Sequence, residues 1–420
     1  MGKWRIEMKK FVIISIILIL LAGGIFGYSL YHFMQVNNVF TKTEAVATEA
    51  VAETKPAEEA TQAAKVKRDD TAVETANIFA DGADKAATTL SDMTQEEMVG
   101  QMIMGICTDS STASAQMAQY SLAGMLFQSD NFQGMTAEQI TAALTAAGAD
   151  AKVKPILAAQ EEGGTYTTIS DLESFTEYDF NSPRTEFAAS GLQGVQKAED
   201  SKTTMLKSVG FNMNIAPVID LASSGDQIMY SRSISDDVDT VSSYAEYAAK
   251  FDQAKGVSIV LSHFPGYGTI PDSAVTGVGA VEDDRPVETI RTTDYTPFKK
   301  GAAAGAHCIM MSNVLVKNLD AAHTAALSPS IHTELRSNVG FSGLIMTDVL
   351  DDADYSSYAE GKKPAVQAVL AGNDLILVKD YATAYNDILA AVKDGTISET
   401  QLKDAVTRVL SYKYTVGIMK

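Results

Sequence analysis

From residue 98 onward, eight short apolar runs alternate with segments of helical spacing, and no other feature restricts the fold of this 420-residue chain as strongly. The runs are MVGQMIMGI (98–106), AGMLFQ (123–128), PILAAQ (155–160), MNIAPVID (213–220), VSIVLSHF (257–264), AHCIMMSN (306–313), GLIMTD (343–348) and DLILVK (374–379). Most are too brief for a helix and several carry β-branched residues, so they read as strands. They are continuously apolar rather than alternating, as strands buried on both faces of a parallel sheet are. Residues 244–254, 329–338, 365–370 and 385–392 have helical spacing. Eight strand–helix repeats predict an α/β fold, a (β/α)8 barrel of the TIM type.

The runs share a second feature: polar or titratable residues gather at their C-terminal ends. Gln160, Glu161 and Glu162 end the third, Asp220 the fourth, Ser262 and His263 the fifth, Asn313 the sixth, and Thr347 and Asp348 the seventh. Barrel enzymes build their sites on that face, although a doubly wound open sheet would place a ligand there too. The chain has no Gly-x-Gly-x-x-Gly turn after its first run, no phosphate loop and no His/Cys spacing suited to zinc, so no cofactor and no metal is expected. A net charge of −20 argues against nucleic acid as a partner and against docking on anionic lipid. Cys107 and Cys308 lie far apart in apolar stretches and read as buried free thiols.

The N-terminus is organised differently. Lys3, Arg5, Lys9 and Lys10 precede an uncharged apolar run from Phe11 to Phe33. At about 1.5 Å per residue, such a helix crosses a hydrocarbon core of roughly 30 Å. A cleaved signal peptide has a shorter apolar region, usually about 7 to 15 residues, ending at a small-residue site. We read residues 1–10 as a cytoplasmic basic segment, 11–33 as a single transmembrane signal anchor, and 34–90 as a low-complexity Ala/Thr/Glu linker. Residues 91–420 form the barrel domain, on the extracytoplasmic side of the cell membrane. The capping box Thr-Gln-Glu-Glu at Thr94 marks its first helix.

Three residues stand out chemically. Asp348 should project from a strand end into the barrel mouth, His263 has a rigid His-Phe-Pro-Gly surround, and Arg232 in "YSRSIS" offers charge-assisted hydrogen bonds. A helix-capping aspartate, a structural histidine and a loop-bridging arginine are the plainer alternatives. The segments "GQMIMG", "QEEGG", "NMNIAPVIDLA", "RSIS", "HFPGYG", "DSA" and "GFSGLIMTDVL", in this order, resemble glycoside hydrolase family 3, most closely its single-domain β-N-acetylglucosaminidase branch.

The resemblance implies a retaining mechanism with Asp348 as nucleophile, and Arg232 and His263 as residues that grip the sugar. It also exposes departures. The family's acid/base histidine in Asp-Ser-His is Ala274, after Asp272 and Ser273; its Lys before the strand-end histidine is Ser262; and its Gly-His-Gly is Gly266, Tyr267, Gly268. Asp-Gln-Glu-Gly-Gly-Arg appears as Gln160, Glu161, Glu162, Gly163, Gly164, Thr165, and Thr168 stands at a usual sugar-binding arginine. Asp272 is the candidate to act as a substitute acid through a water, while Gln160 and Ser262 take substrate-binding positions. Three readings remain open: a family 3 hydrolase with an improvised acid, a pseudoenzyme that binds carbohydrate or cell-wall glycan fragments, and a protein interaction scaffold whose barrel mouth takes no ligand.

Overall fold

The structure, a computed structural model, describes residues 77–275, 280–350 and 352–420. Each of the eight apolar runs contains a strand: β1 (Ile103–Ile106), β2 (Gly124–Leu126), β3 (Ile156–Ala159), β4 (Met213–Asn214), β5 (Ser258–Phe264), β6 (Cys308–Met311), β7 (Leu344–Thr347) and β8 (Ile376–Val378). All are parallel, each pairs with its neighbour in chain order, and β8 returns to β1. A parallel bridge between Met346 and Leu375 joins β7 to β8, so the sheet closes into a barrel.

The closed sheet separates two apolar environments. Leu126, Ala158, Val260, Met310 and Met346 belong to the cluster that fills the interior. The alternate residues, such as Met125, Leu157, Leu261, Ile309 and Ile345, pack outward against the helices. That division follows from the period of two along a strand, and it explains why the runs show no polar alternation.

Three expectations need correction. The first run is a strand only in its second half, because the Thr94 capping box starts a helix, Gln95–Gly100, that uses Met98 and Val99 as its buried face. The Thr94 hydroxyl accepts the Glu97 N–H at 3.2 Å and Glu97 returns the bond at 2.9 Å. The run 213–220 forms only a short strand before the chain turns through Pro217, which has no N–H to give to a ladder.

The domain also starts earlier than residue 91. A helix at Ala83–Ser91 packs against the C-terminal helix Glu399–Thr415, so residues 77–90 belong to the folded body. Phe79 is 1% exposed and packs edge-on to Tyr412, with the His307 ring beside both. His307 precedes β6 and contacts Ser258 at the start of β5, which places this aromatic group at the N-terminal ends of the strands. It stoppers the barrel. A few well-placed apolar side chains achieve this in a segment whose average composition looks like a tether. The expected segments 1–10 and 11–33 and the linker up to residue 76 lie outside the described residues. Among the described residues, no helix is long and apolar enough to cross a membrane.

Candidate active site

Interior positions recur at every second residue, so the next step along each strand reaches the rim. Past Leu126, Ala158, Val260, Met310 and Met346 come Gln128, Gln160, Ser262, Ser312 and Asp348. The C-terminal mouth is therefore lined by amides, hydroxyls and one carboxylate. Asp348 is half-buried; its N–H donates to Met311 O at 2.9 Å, and Oδ1 accepts the Val349 N–H at 2.7 Å. These bonds fix the carboxyl group and leave Oδ2 without a partner among the described residues.

Arg232 comes from the loop after β4. Its Nε and Nη2 donate to the two carboxylate oxygens of Glu162 at 2.8 and 2.6 Å, a bidentate pair with side chains 12% and 1% exposed. The guanidinium lies 4.4 Å from the Tyr166 ring centre. Burial disfavours its charge, but Glu162, Tyr166 and Asp348 more than offset that and hold its pKa above the usual arginine value. Asp348 is thus close enough to act electrostatically on Arg232.

Glu162 is itself anchored from behind. Gln160 Nε2 donates to its Oε1 at 2.8 Å, and Lys202 Nζ donates to its backbone oxygen at 2.7 Å. Lys202, fully inside the helix layer, pairs with Glu199 at 2.5 Å, and Glu199 accepts the Tyr244 hydroxyl at 2.7 Å. This buried polar chain fastens the third strand's loop to the helices around it.

His263 ends β5. Asp220 Oδ2 accepts its backbone N–H at 3.1 Å and lies 2.8 Å from Nδ1, while Oδ1 accepts the Tyr267 N–H at 2.7 Å. With both oxygens accepting, the ring donates through Nδ1 and keeps Nε2 for a ligand. The Tyr267 ring stands edge-on to the imidazole at 5.4 Å. Burial, with the negative charges of Asp348 and Asp220 close behind, holds the Tyr267 phenol well above its ordinary range, so it stays protonated. Asp220 and His263 thus touch Tyr267 directly, and Asp348 and Arg232 lie near enough to act on it electrostatically.

Other expected residues fall elsewhere. Asp272 lies in a short 3-10 turn, Asp272–Ala274, and is exposed; its N–H donates to Asp226 O at 2.7 Å. No hydrogen bond among the described residues ties its carboxylate to Asp348, Arg232 or His263. Ser262 is buried at the rim. Thr168 is buried as well, its hydroxyl accepting the Gln160 N–H at 2.8 Å, and Glu161 accepts N–H bonds from Thr168 and Ile169 at 3.0 Å. These two residues brace the loop rather than face the mouth. Burial raises the Glu161 pKa, and its hydrogen bonds only partly counter this.

Sequence reasoning did not find the Glu162–Arg232 pair, the orienting role of Asp220, or Tyr166. The double acid in "QEEGG" and the strand-end Asp220 were visible, but their partners lie 70 and 43 residues away. Nothing in local periodicity links them.

The model of the glycosyl hydrolase family 3 N-terminal domain matches residues 94–412. An uncharacterised secreted glycosyl hydrolase of Arthroderma benhamiae is 29% identical over 226 residues, 52% of this chain and 64% of that protein. A β-hexosaminidase of Xylella fastidiosa is 35% identical over 189 residues, 44% of this chain and 55% of that protein. The matched stretch thus spans less than two thirds of either relative. The crystal structure of a β-N-acetylhexosaminidase from Beutenbergia cavernae superposes with a TM-score of 0.64 at 27% identity, covering 77% of this chain and 99% of that one. A chain whose eight barrel strands all lie within the stretch matched by the family's model belongs to glycosyl hydrolase family 3.

Proposed function

We propose that the barrel is a retaining glycoside hydrolase acting on β-linked N-acetylhexosaminides, with Asp348 as nucleophile. The observation that carries this reading is the Oδ2 of Asp348, unpartnered among the described residues, at the end of an interior strand series and within electrostatic reach of the charged Arg232. Oδ2 forms a bond to the anomeric carbon as the bond to the leaving oxygen breaks, and the departing electron pair goes with that oxygen. Water then attacks the same carbon, giving its proton to solvent and releasing Asp348. Arg232 and His263 Nε2 are the donors and acceptors that hold the sugar hydroxyls.

Protonation of the leaving oxygen is the weak step. Ala274 offers no proton, Asp272 is exposed, and the Tyr267 phenol is too weak an acid. A positioned general acid contributes about 10² to 10⁴ in rate. The enzyme should therefore favour substrates whose leaving groups depart unprotonated. The binding-module reading has one observation in its favour, the exposed and unanchored Asp272. In either reading, we propose that residues 11–33 tether the domain to the membrane with the barrel outside the cell.

Hydrolysis of a p-nitrophenyl β-N-acetylglucosaminide by the full-length chain, alongside Asp348→Asn, tests the reading. Turnover should fall to the uncatalysed background in the variant. Turnover unchanged by Asp348→Asn would remove Asp348 from the mechanism, and no turnover by the parent chain would favour the binding module.

A further inference from the structure

The helix Val238–Tyr247 and the π turn Ala248–Asp252 that prolongs it bury a stripe at helical spacing, Val241, Ala245, Ala248 and Asp252. The first three are apolar. The fourth is an aspartate, 0% exposed, and neither of its carboxylate oxygens has a hydrogen-bond partner among the described residues. A buried carboxylate without a donor is costly to keep charged, whereas the protonated acid asks far less of its surroundings. Burial first, and then the charge of Glu199, push the Asp252 pKa up to about 8, against the pull of Lys255 and Lys202.

The helix Pro183–Val209 turns Glu199, Asp200 and Lys202 toward this carboxyl group, the helix Val238–Tyr247 adds Tyr244 and Tyr247, and the turn that follows adds Lys255. The helix Tyr295–Ala303 also packs on the π turn and carries Tyr295, which is buried, and Lys299 and Lys300, which are exposed. β5 packs there too and carries only His263, which is tied to Asp220. Two of these groups reach toward the barrel mouth. Glu199 accepts the Tyr244 hydroxyl and the Lys202 ammonium, and Lys202 also donates to the Glu162 backbone oxygen at 2.7 Å. Glu162 opens the hairpin in which its N–H donates to Tyr166 O at 2.8 Å, and its carboxylate holds Arg232. Asp252 thus acts on the lysine that fastens the loop behind the guanidinium.

We propose that Asp252 is a pH-sensitive latch: it carries a proton in the folded protein, and on losing it in alkaline medium it draws Lys202 off the Glu162 carbonyl and loosens the hairpin that positions Arg232. The proton passes to solvent base and leaves a second carboxylate near Glu199, with Lys202 as the one buried ammonium among these groups. A carboxylate holds an ammonium more strongly than a backbone carbonyl does, so the carbonyl is the partner that gives way. The latch stands whatever molecule the mouth takes.

Asp252→Asn puts a neutral group of the same shape in place of the acid, and urea denaturation of the two full-length chains from pH 5 to pH 9 tests the buried proton. The folded parent binds an extra proton between the ordinary aspartate value and about pH 8, so its stability falls as pH rises through that window while the variant's does not. The urea midpoint of the variant should gain on that of the parent up to about pH 8 and keep a constant lead above it. The same course is expected of Asp252→Leu, which suits the apolar stripe. An offset that does not change with pH in either variant would show an aspartate ionised throughout, and the latch would fall. Hydrogen exchange tests the link to the mouth: at pH 9 the Glu162 amide should exchange at least about tenfold faster in the parent than in Asp252→Asn, as the loss of one charged hydrogen bond implies, and at equal rates at pH 6. Equal rates at both would mean that Lys202 serves both carboxylates without leaving Glu162, which confines Asp252 to stability and overturns the latch.

Discussion

Removing either member of the Glu162–Arg232 pair tests how the candidate site is built. Two charges about 4 Å apart at an effective dielectric constant of about 20 attract by roughly 4 kcal/mol. An exposed pair returns only about 0.2 to 1 kcal/mol, whereas breaking a buried one costs about 3 to 5. With side chains 1% and 12% exposed and two short hydrogen bonds, this pair belongs near the lower end of the buried class. Glu162→Gln and Arg232→Met should each destabilise the domain by about 3 kcal/mol, and the double variant by scarcely more. The resulting coupling energy is about 3 kcal/mol. Urea denaturation followed by far-ultraviolet circular dichroism reads it; fluorescence would not serve, because the only tryptophan is Trp4. A coupling below about 1 kcal/mol would show that the pair behaves as if solvated, and the account of a rigidly held guanidinium would fail.

Three further outcomes follow from the same structure. Ala274→His should raise hydrolysis of an unactivated N-acetylglucosamine disaccharide by about 10² to 10⁴ and leave the nitrophenyl substrate nearly unchanged; no response would mean that more than the acid is missing. Lys413 is fully buried, its ammonium has only Gln101 Oε1 as a hydrogen-bond partner among the described residues, at 2.8 Å, and burial lowers its pKa to about 7. The unfolded chain therefore binds more protons than the folded one between about pH 7 and the ordinary lysine value, and stability should rise with pH across that window. Lys413→Met should stabilise the domain by about 3 kcal/mol at pH 7 and by progressively less toward pH 10, as urea midpoints at the two values would show. Phe79→Ala should cost about 3 to 4 kcal/mol by the same denaturation assay, whereas a loss under 1 would return residues 77–90 to the linker.

The strands were the most legible part of the fold, because a ribbon buried on both faces leaves an uninterrupted apolar run with a turn at each end. Helices were read less completely. Pro183–Val209 escaped notice because Gly191 and Gly194 interrupt its spacing, and the helix does depart from helical geometry at Gly191. Within the site, Asp348, Gln160 and Ser262 could be placed by counting along strands, since period two carries side-chain direction with it. Arg232 and His263 could be nominated but not explained. Their orientation depends on Glu162 and Asp220, which the barrel brings alongside only when it closes. The N-terminal helix was hidden for a related reason: Phe79 and Ala86 do in three dimensions what average composition cannot register.

The stopper of Phe79 and Tyr412 also gives the domain a polarity. The described chain enters at Asn77, at the end of the barrel opposite the mouth, and Val416 and Ile418 near the last residue pack there too. A pull applied at Asn77 itself is therefore received by the base of the barrel, away from the loops that carry Asp348 and Arg232.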